Sequence, residues 1–117
     1  MPYLPGTHVI ASLSTKTGQL LQSYHPLKTA IDTWIAEHQL TKLGEVYHNF
    51  TPAGFTAVVC LSESHMSFHT WPEHNRVNLD IYLSNHEKNN DGTVQNLYNQ
   101  IVAFFEATIL TEQTLKR

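Results

Sequence analysis

Arg76-Val77-Asn78-Leu79-Asp80-Ile81-Tyr82-Leu83-Ser84 alternates at every step, with apolar residues at the odd positions and polar or amphipathic ones at the even positions. Successive side chains of a β-strand point to opposite faces, so the pattern predicts a strand over 76–84 with one buried face. The stretches before it alternate in the same way. In 65–71, Met66 and Phe68 fall on one face and His65, Ser67, His69 and Trp71 on the other. In 55–61, Phe55, Ala57, Val59 and Leu61 oppose Thr56, Val58 and Cys60. One shared face therefore packs into a core. The other collects Thr56, His69, Asp80, Tyr82 and Ser84. A solvated sheet surface is the plain reading of that second face. Trp71, Tyr82 and Val58 would be exposed with it, however, and an apolar patch of that kind marks an interface or a cleft.

Outward from this centre, residues 7–14 read as a short strand, and 43–51 and 54–61 as two strands joined by the turn Thr51-Pro-Ala-Gly54. Pro26 can open a helix at its first position. Leu27, Ala30, Ile31, Trp34, Ile35 and His38 then recur at helical spacing, which makes Trp34 a core residue. Asp91 is the expected N-cap of a second amphipathic helix marked by Val94, Leu97, Tyr98, Ile101, Phe104, Phe105 and Ile109. Residues 111–117 are polar and are expected to fray or to add an edge strand. The order β-α-β-β-β-β-α predicts an α+β domain over 1–117: a two-layer sandwich, mostly antiparallel, with two helices on one face.

The length of 117 residues fits a single core, and a domain of this size buries roughly two thirds of its unfolded surface. A net charge of −3 argues against nucleic acid or an anionic membrane as the main partner. No apolar run approaches the ~20 residues of a membrane helix, and the N-terminus lacks a signal-peptide pattern. The lone Cys60 cannot form an internal disulfide, which fits a reducing cytoplasm. It is expected to be a small buried apolar residue. His65 and His69 would lie ~13 Å apart along a strand, too far to share an ion, so no metal is expected. The other histidines, His8 among them, read as structural or surface groups.

The densest polar segment is Leu61-Ser-Glu-Ser-His-Met-Ser-Phe-His-Thr-Trp-Pro-Glu73. Its Ser62-Glu-Ser-His and His69-Thr-Trp-Pro-Glu73 resemble the self-cleavage segment of the bacterial S-adenosylmethionine decarboxylases. Gly6-Thr-His8-Val-Ile, Tyr47-His-Asn-Phe50-Thr-Pro-Ala-Gly54 and Asp80-Ile-Tyr follow that family's order and spacing. The resemblance implies cleavage between Glu63 and Ser64, with Ser64 converted to a pyruvoyl cofactor. Ser64 attacks the Glu63 carbonyl to form an ester, and His69, aided by the hydroxyl of Thr56, removes the Ser64 α-proton. The pyruvoyl ketone then forms a Schiff base with the substrate amine and acts as the electron sink for loss of CO₂. The resemblance implies that Phe50 and Trp71 stack on the adenine of S-adenosylmethionine and that Glu73 binds the nucleoside. It further implies a role in polyamine (spermidine) synthesis and a homodimer that stacks the sheets.

Two positions depart from the family pattern. Ser84 stands where the family carries the cysteine that returns a proton to the substrate, and Ser12 stands where an acidic residue is usual. The departures leave two alternatives open. One is an unprocessed, non-catalytic relative that binds a nucleoside or an active paralogue. The other is a pyruvoyl decarboxylase of a different amino acid, such as arginine or ornithine.

Overall fold

The computed structural model describes residues 2–117. Strand β1 runs over Thr7–Thr15, helix α1 over His25–Glu37, and strands β2, β3, β4 and β5 over Lys42–Asn49, Phe55–Leu61, Ser64–Trp71 and Arg76–Leu83. Helix α2 spans Asp91–Phe104, and strand β6 spans Ala107–Lys116. The strands form one sheet in the order β2-β3-β4-β5-β1-β6, and every neighbouring pair is antiparallel.

The alternation read from the sequence is the alternation of burial. Val77, Leu79, Ile81 and Leu83 of β5 are buried, as are Met66 and Phe68 of β4 and Phe55, Ala57, Val59 and Leu61 of β3. They join Leu27, Ile31 and Trp34 of α1 and Val94, Leu97 and Ile101 of α2 in one cluster. Both helices therefore cover the same face of the sheet. Burying each such aliphatic side chain contributes on the order of 1.5–3 kcal/mol, so the inward face fixes the register of all the central strands. The outward face keeps Ile10, Val58 and Trp71 exposed.

Two expectations change. Asp91 is the first residue of α2, and Asn90 is its N-cap. The Asp91 carboxylate is occupied elsewhere: it accepts from Thr7 Oγ1 at 2.6 Å, Asn85 Nδ2 at 3.0 Å and Lys116 Nζ at 2.8 Å. Ile109 lies in β6 rather than on α2, opposite Leu13. The helix stops because Glu106 takes a left-handed φ of +48°, and the β-branched residues beyond it pair with β1. The C-terminal residues form a ten-residue edge strand from 107 onward, latched at its end by Gly6 N–H to Arg117 O at 2.8 Å. Gly6 passes so close to the end of β5 that a β-carbon there would sit 2.3 Å from the Leu83 carbonyl oxygen. Only glycine allows that approach.

Candidate active site

Strands β3 and β4 are joined by a two-residue turn, Ser62-Glu63, with Leu61 paired to Ser64. Ser64 is the first residue of β4 and also pairs with Leu83 of β5. Its φ is +151°, a conformation that side chains other than glycine rarely adopt. Holding a residue there costs about 1–3 kcal/mol, supplied by the strands on either side. The carbonyl of Glu63, which precedes it, accepts the Ser84 N–H at 2.7 Å. The Glu63 carboxylate is held by Ser62 Oγ at 2.9 Å and by the Thr41 N–H at 3.3 Å.

Ser84 lies one residue past the end of β5, not within it. Its carbonyl accepts Asn90 Nδ2 at 2.8 Å, and Asn90 N–H donates to Asn85 Oδ1 at 2.6 Å. This mesh holds the Ser84 N–H against the Glu63 carbonyl. Ser84 also separates two cavities. One, of about 270 Å³, includes Glu63, Thr41 and Lys88 in its lining. The other, of about 260 Å³, includes Tyr3, Leu4 and Tyr82.

On the outward face beside Ser64, Asp80 of β5 accepts three side chains. His8 Nε2 and His65 Nε2 both donate to its Oδ2 at 2.9 Å, and Ser67 Oγ donates to its Oδ1. Burial pushes the Asp80 carboxyl up, but these bonds from Ser67, His65 and His8 outweigh it and hold the group below the usual carboxylate range. The donor atoms of His8, His65 and Asp80 lie within 4.8 Å of one another, close enough to suggest a metal site. The protonation pattern points to a hydrogen-bond relay. Arg117 Nη1 lies 3.2 Å from His8 Nδ1, and a guanidinium only donates. His8 Nδ1 is then the acceptor and Nε2 carries the proton, whereas a ligating nitrogen must be bare. Sequence reading had set His8 aside as structural. Strand parity places His65, Ser67 and Asp80 on one face, but only the β1–β5 register, with His8 opposite Tyr82, brings in His8.

The far end of β4 holds the second group. His69 lies directly across from Thr56 of β3, and Thr56 Oγ1 and His69 Nδ1 are 2.5 Å apart. Trp71 follows on the same face, its ring 6.4 Å from that of His69. Phe50 is exposed just past β2 and packs edge-on against His48, which pairs with Thr56. Glu73 is exposed in a short 3₁₀ turn, Pro72–His74. Between the two ends lies a groove of about 340 Å³ lined by Ile10, Ser12, Ser67, His69, Asn78 and Asp80, among others. Cys60 is not buried: it is exposed on the outward face opposite His65, because its strand parity overrides its apolar character.

The predicted site residues thus fall into two clusters. Glu63, Ser64 and Ser84 meet at the hairpin. Thr56 and His69 meet at the other end of β4, with Trp71, Phe50 and Glu73 beyond them. Ser64 and His69 are five residues apart on one strand, about 16 Å along it, so one chain does not bring them together.

A sheet backed by two helices thus carries a strained serine at a hairpin and an imidazole–hydroxyl pair further down the strand. The family model for S-adenosylmethionine decarboxylase matches residues 7–117. The S-adenosylmethionine decarboxylase proenzyme of Picrophilus torridus is 40% identical over 86 residues, covering 74% of this chain and 66% of that one. The Archaeoglobus fulgidus proenzyme is also 40% identical, over 77 residues, covering 66% of this chain and 69% of its own. The crystal structure of adenosylmethionine decarboxylase from Aquifex aeolicus superposes with a TM-score of 0.85 at 26% identity, covering 99% of this chain and 92% of that one. The chain belongs to the S-adenosylmethionine decarboxylase family.

Proposed function

We propose that this chain is a proenzyme that cuts itself between Glu63 and Ser64 and then decarboxylates S-adenosylmethionine for polyamine (spermidine) synthesis. The observation that carries the proposal is Ser64 at φ +151°, with the Glu63 carbonyl already held by the Ser84 N–H at 2.7 Å. Strain weakens the resistance of that peptide to attack, and a fixed donor stabilises the oxyanion that attack creates. Ser64 Oγ bonds to the Glu63 carbonyl carbon, and the peptide C–N bond breaks to leave an ester. Removal of the Ser64 α-proton by His69, with its ring oriented by Thr56, eliminates Glu63 as a carboxylate. Water then releases ammonia from the dehydrated residue and leaves a pyruvoyl group. The residues around Ser64 fit that group, which supplies the electron sink for loss of CO₂ when formed.

The separation of Ser64 from His69 supports assembly as a homodimer. Two copies stacked on their outward faces in antiparallel fashion set His69 and Thr56 of one against Ser64 and Ser84 of the other. Val58, Ile10 and Trp71, exposed on that face, supply the apolar contact. Phe50, Trp71 and Glu73 are assigned to the nucleoside, where aromatic rings also favour the sulfonium charge.

The test is the intact mass of purified protein during incubation. Two fragments are expected, and the one that begins at 64 is lighter by one ammonia than a chain starting with serine. The processed protein releases CO₂ from S-adenosylmethionine in preference to arginine or ornithine. A single unchanging mass would overturn the proposal in favour of a non-catalytic relative.

A further inference from the structure

The outward side chains of β5 are unequally engaged. Asp80 accepts three hydrogen bonds, and the Tyr82 hydroxyl donates to the Arg117 carbonyl at 2.8 Å. Asn78, on the same face, is not engaged: its Oδ1 is shielded from water and has no hydrogen-bond partner. A buried amide oxygen left unpaired weakens the fold unless something else pairs with it. The register sets Asn78 directly across from His69 on one side and Ser12 on the other, so paired strands hold its backbone on both flanks. Asn78 is also the diagonal neighbour of Trp71, at about 7–8 Å across the strand pair. The two residues line one cavity of about 510 Å³ with His74 and Arg76, a volume in the range of small-molecule sites. Of these four side chains the indole and the guanidinium only donate, and His74 is exposed in the Pro72–His74 turn. Asn78 Oδ1 is therefore the acceptor that a fixed strand supplies to the cavity. No hydrogen bond of Nδ2 among the described residues opposes a half turn of the amide that presents Oδ1 to a ligand.

We propose that Asn78 is a specificity-determining residue that reads the adenine edge of the bound nucleoside. The assignment rests on the reading above that places the nucleoside against Trp71. The planar amide carries an acceptor beside a donor, and adenine carries the complement, a 6-amino group beside a bare ring nitrogen. Oδ1 accepts from the 6-amino group, and Nδ2 donates to the ring nitrogen. Stacking on Trp71 accepts any base, because every base has a π-face. The choice of base then falls to Asn78. A purine without the amine leaves Oδ1 unpaired again, and a site built around a hydrogen bond rejects the analogue that cannot make it.

The probes are adenosine and purine riboside, which lacks only the 6-amino group, with binding to the purified protein read by calorimetry. Wild type should bind adenosine about tenfold or more tightly than purine riboside. In Asn78→Ala that preference should collapse to about twofold or less, and in His74→Ala it should persist. With S-adenosylmethionine, Asn78→Ala should raise KM about tenfold and leave kcat within about twofold, the mark of lost ground-state binding. Fragment masses should show cleavage after Glu63 at the wild-type rate. A thermal melt matched to wild type establishes that the variant is folded, and Asn78→Leu replaces it where it is not. An unchanged preference in a folded Asn78 variant overturns the assignment and leaves the nucleoside site standing. So does loss of the preference in His74→Ala, or equal binding of the two probes by wild type. A fall in kcat with KM unchanged also overturns it, because it places Asn78 in the chemical step. Wild-type protein that binds neither nucleoside overturns the Trp71 reading and the assignment with it.

Discussion

The two ends of β4 are built differently. At the Ser64 end the backbone is strained, the flanking carbonyl is already hydrogen-bonded, and Asp80, His8, His65, Ser67 and Arg117 form a closed mesh. At the His69 end the imidazole is exposed, with one hydroxyl partner and aromatic neighbours at the edge of an open groove. The first end suits the proposed reaction within its own chain. The second is laid out to act on something brought to it. A rigid strand separates the two, so any chemistry that uses both needs a second copy or a large rearrangement. Nothing about a continuous, six-stranded antiparallel sheet favours the rearrangement.

The strongest way to break this comparison is to place the two ends on different chains. Ser64→Ala should abolish cleavage, and His69→Ala should stop at the ester. Co-refolded together, the two variants should again mature the His69→Ala chain, to at most one site per mixed dimer, as seen in fragment masses. If the mixture stays uncut, both ends act within one chain. Next in size is Ser84→Cys. With a thiol near pKa 8.5 at this position, turnover by processed protein should rise by about 10²–10⁴, measured as CO₂ release. Its backbone N–H remains on Glu63, so cleavage should proceed as before. No gain in a processed sample would remove the side chain of Ser84 from the protonation step.

Thr56→Val keeps the shape but removes the hydroxyl bonded to His69. A hydrogen bond of about 1 kcal/mol predicts a roughly fivefold slowing of elimination, with ester formation untouched. The smallest effect concerns the anchoring of the Ser64 end. Hydrogen bonds from Lys116, Thr7 and Asn85 lower the Asp91 carboxyl to about 2. A depressed carboxyl stabilises the fold above its unfolded pKa of about 3.9 and loses that contribution as pH falls toward 2. Urea midpoints should therefore drop between pH 5 and pH 2.5, and Asp91→Asn should flatten part of that drop. An unchanged profile in the variant would show that Asp91 does not anchor β6.

Much of the fold was legible from alternation. The inward residues of β3, β4 and β5 were read correctly because strand parity and burial express the same physical fact. The stripes of α1 and α2 were legible for the same reason. Local pattern failed where pairing partners decide. Ile109 continued the helical spacing on paper, but a left-handed Glu106 and the free edge of β1 drew it into β6. Cys60 looked like core because its residue type is apolar, and its outward position on β3 exposed it.

For the site, the sequence by itself offered most of the candidate residues and the order of the motifs: a Glu-Ser-His triplet, a histidine five residues after Ser64, and an acidic residue at 80. These are properties of spacing along the chain, and they survive in any fold that keeps β4 and β5. Only the tertiary structure decided what each residue meets. The Ser84 N–H on the Glu63 carbonyl, the convergence of His8 and His65 on Asp80, and the gap between Ser64 and His69 all depend on contacts across strands. Those contacts are set by register between segments up to 109 residues apart, as in the bond from Arg117 to His8. Register is fixed by burying the opposite face of the sheet under two helices, a global balance that no local stretch of sequence contains.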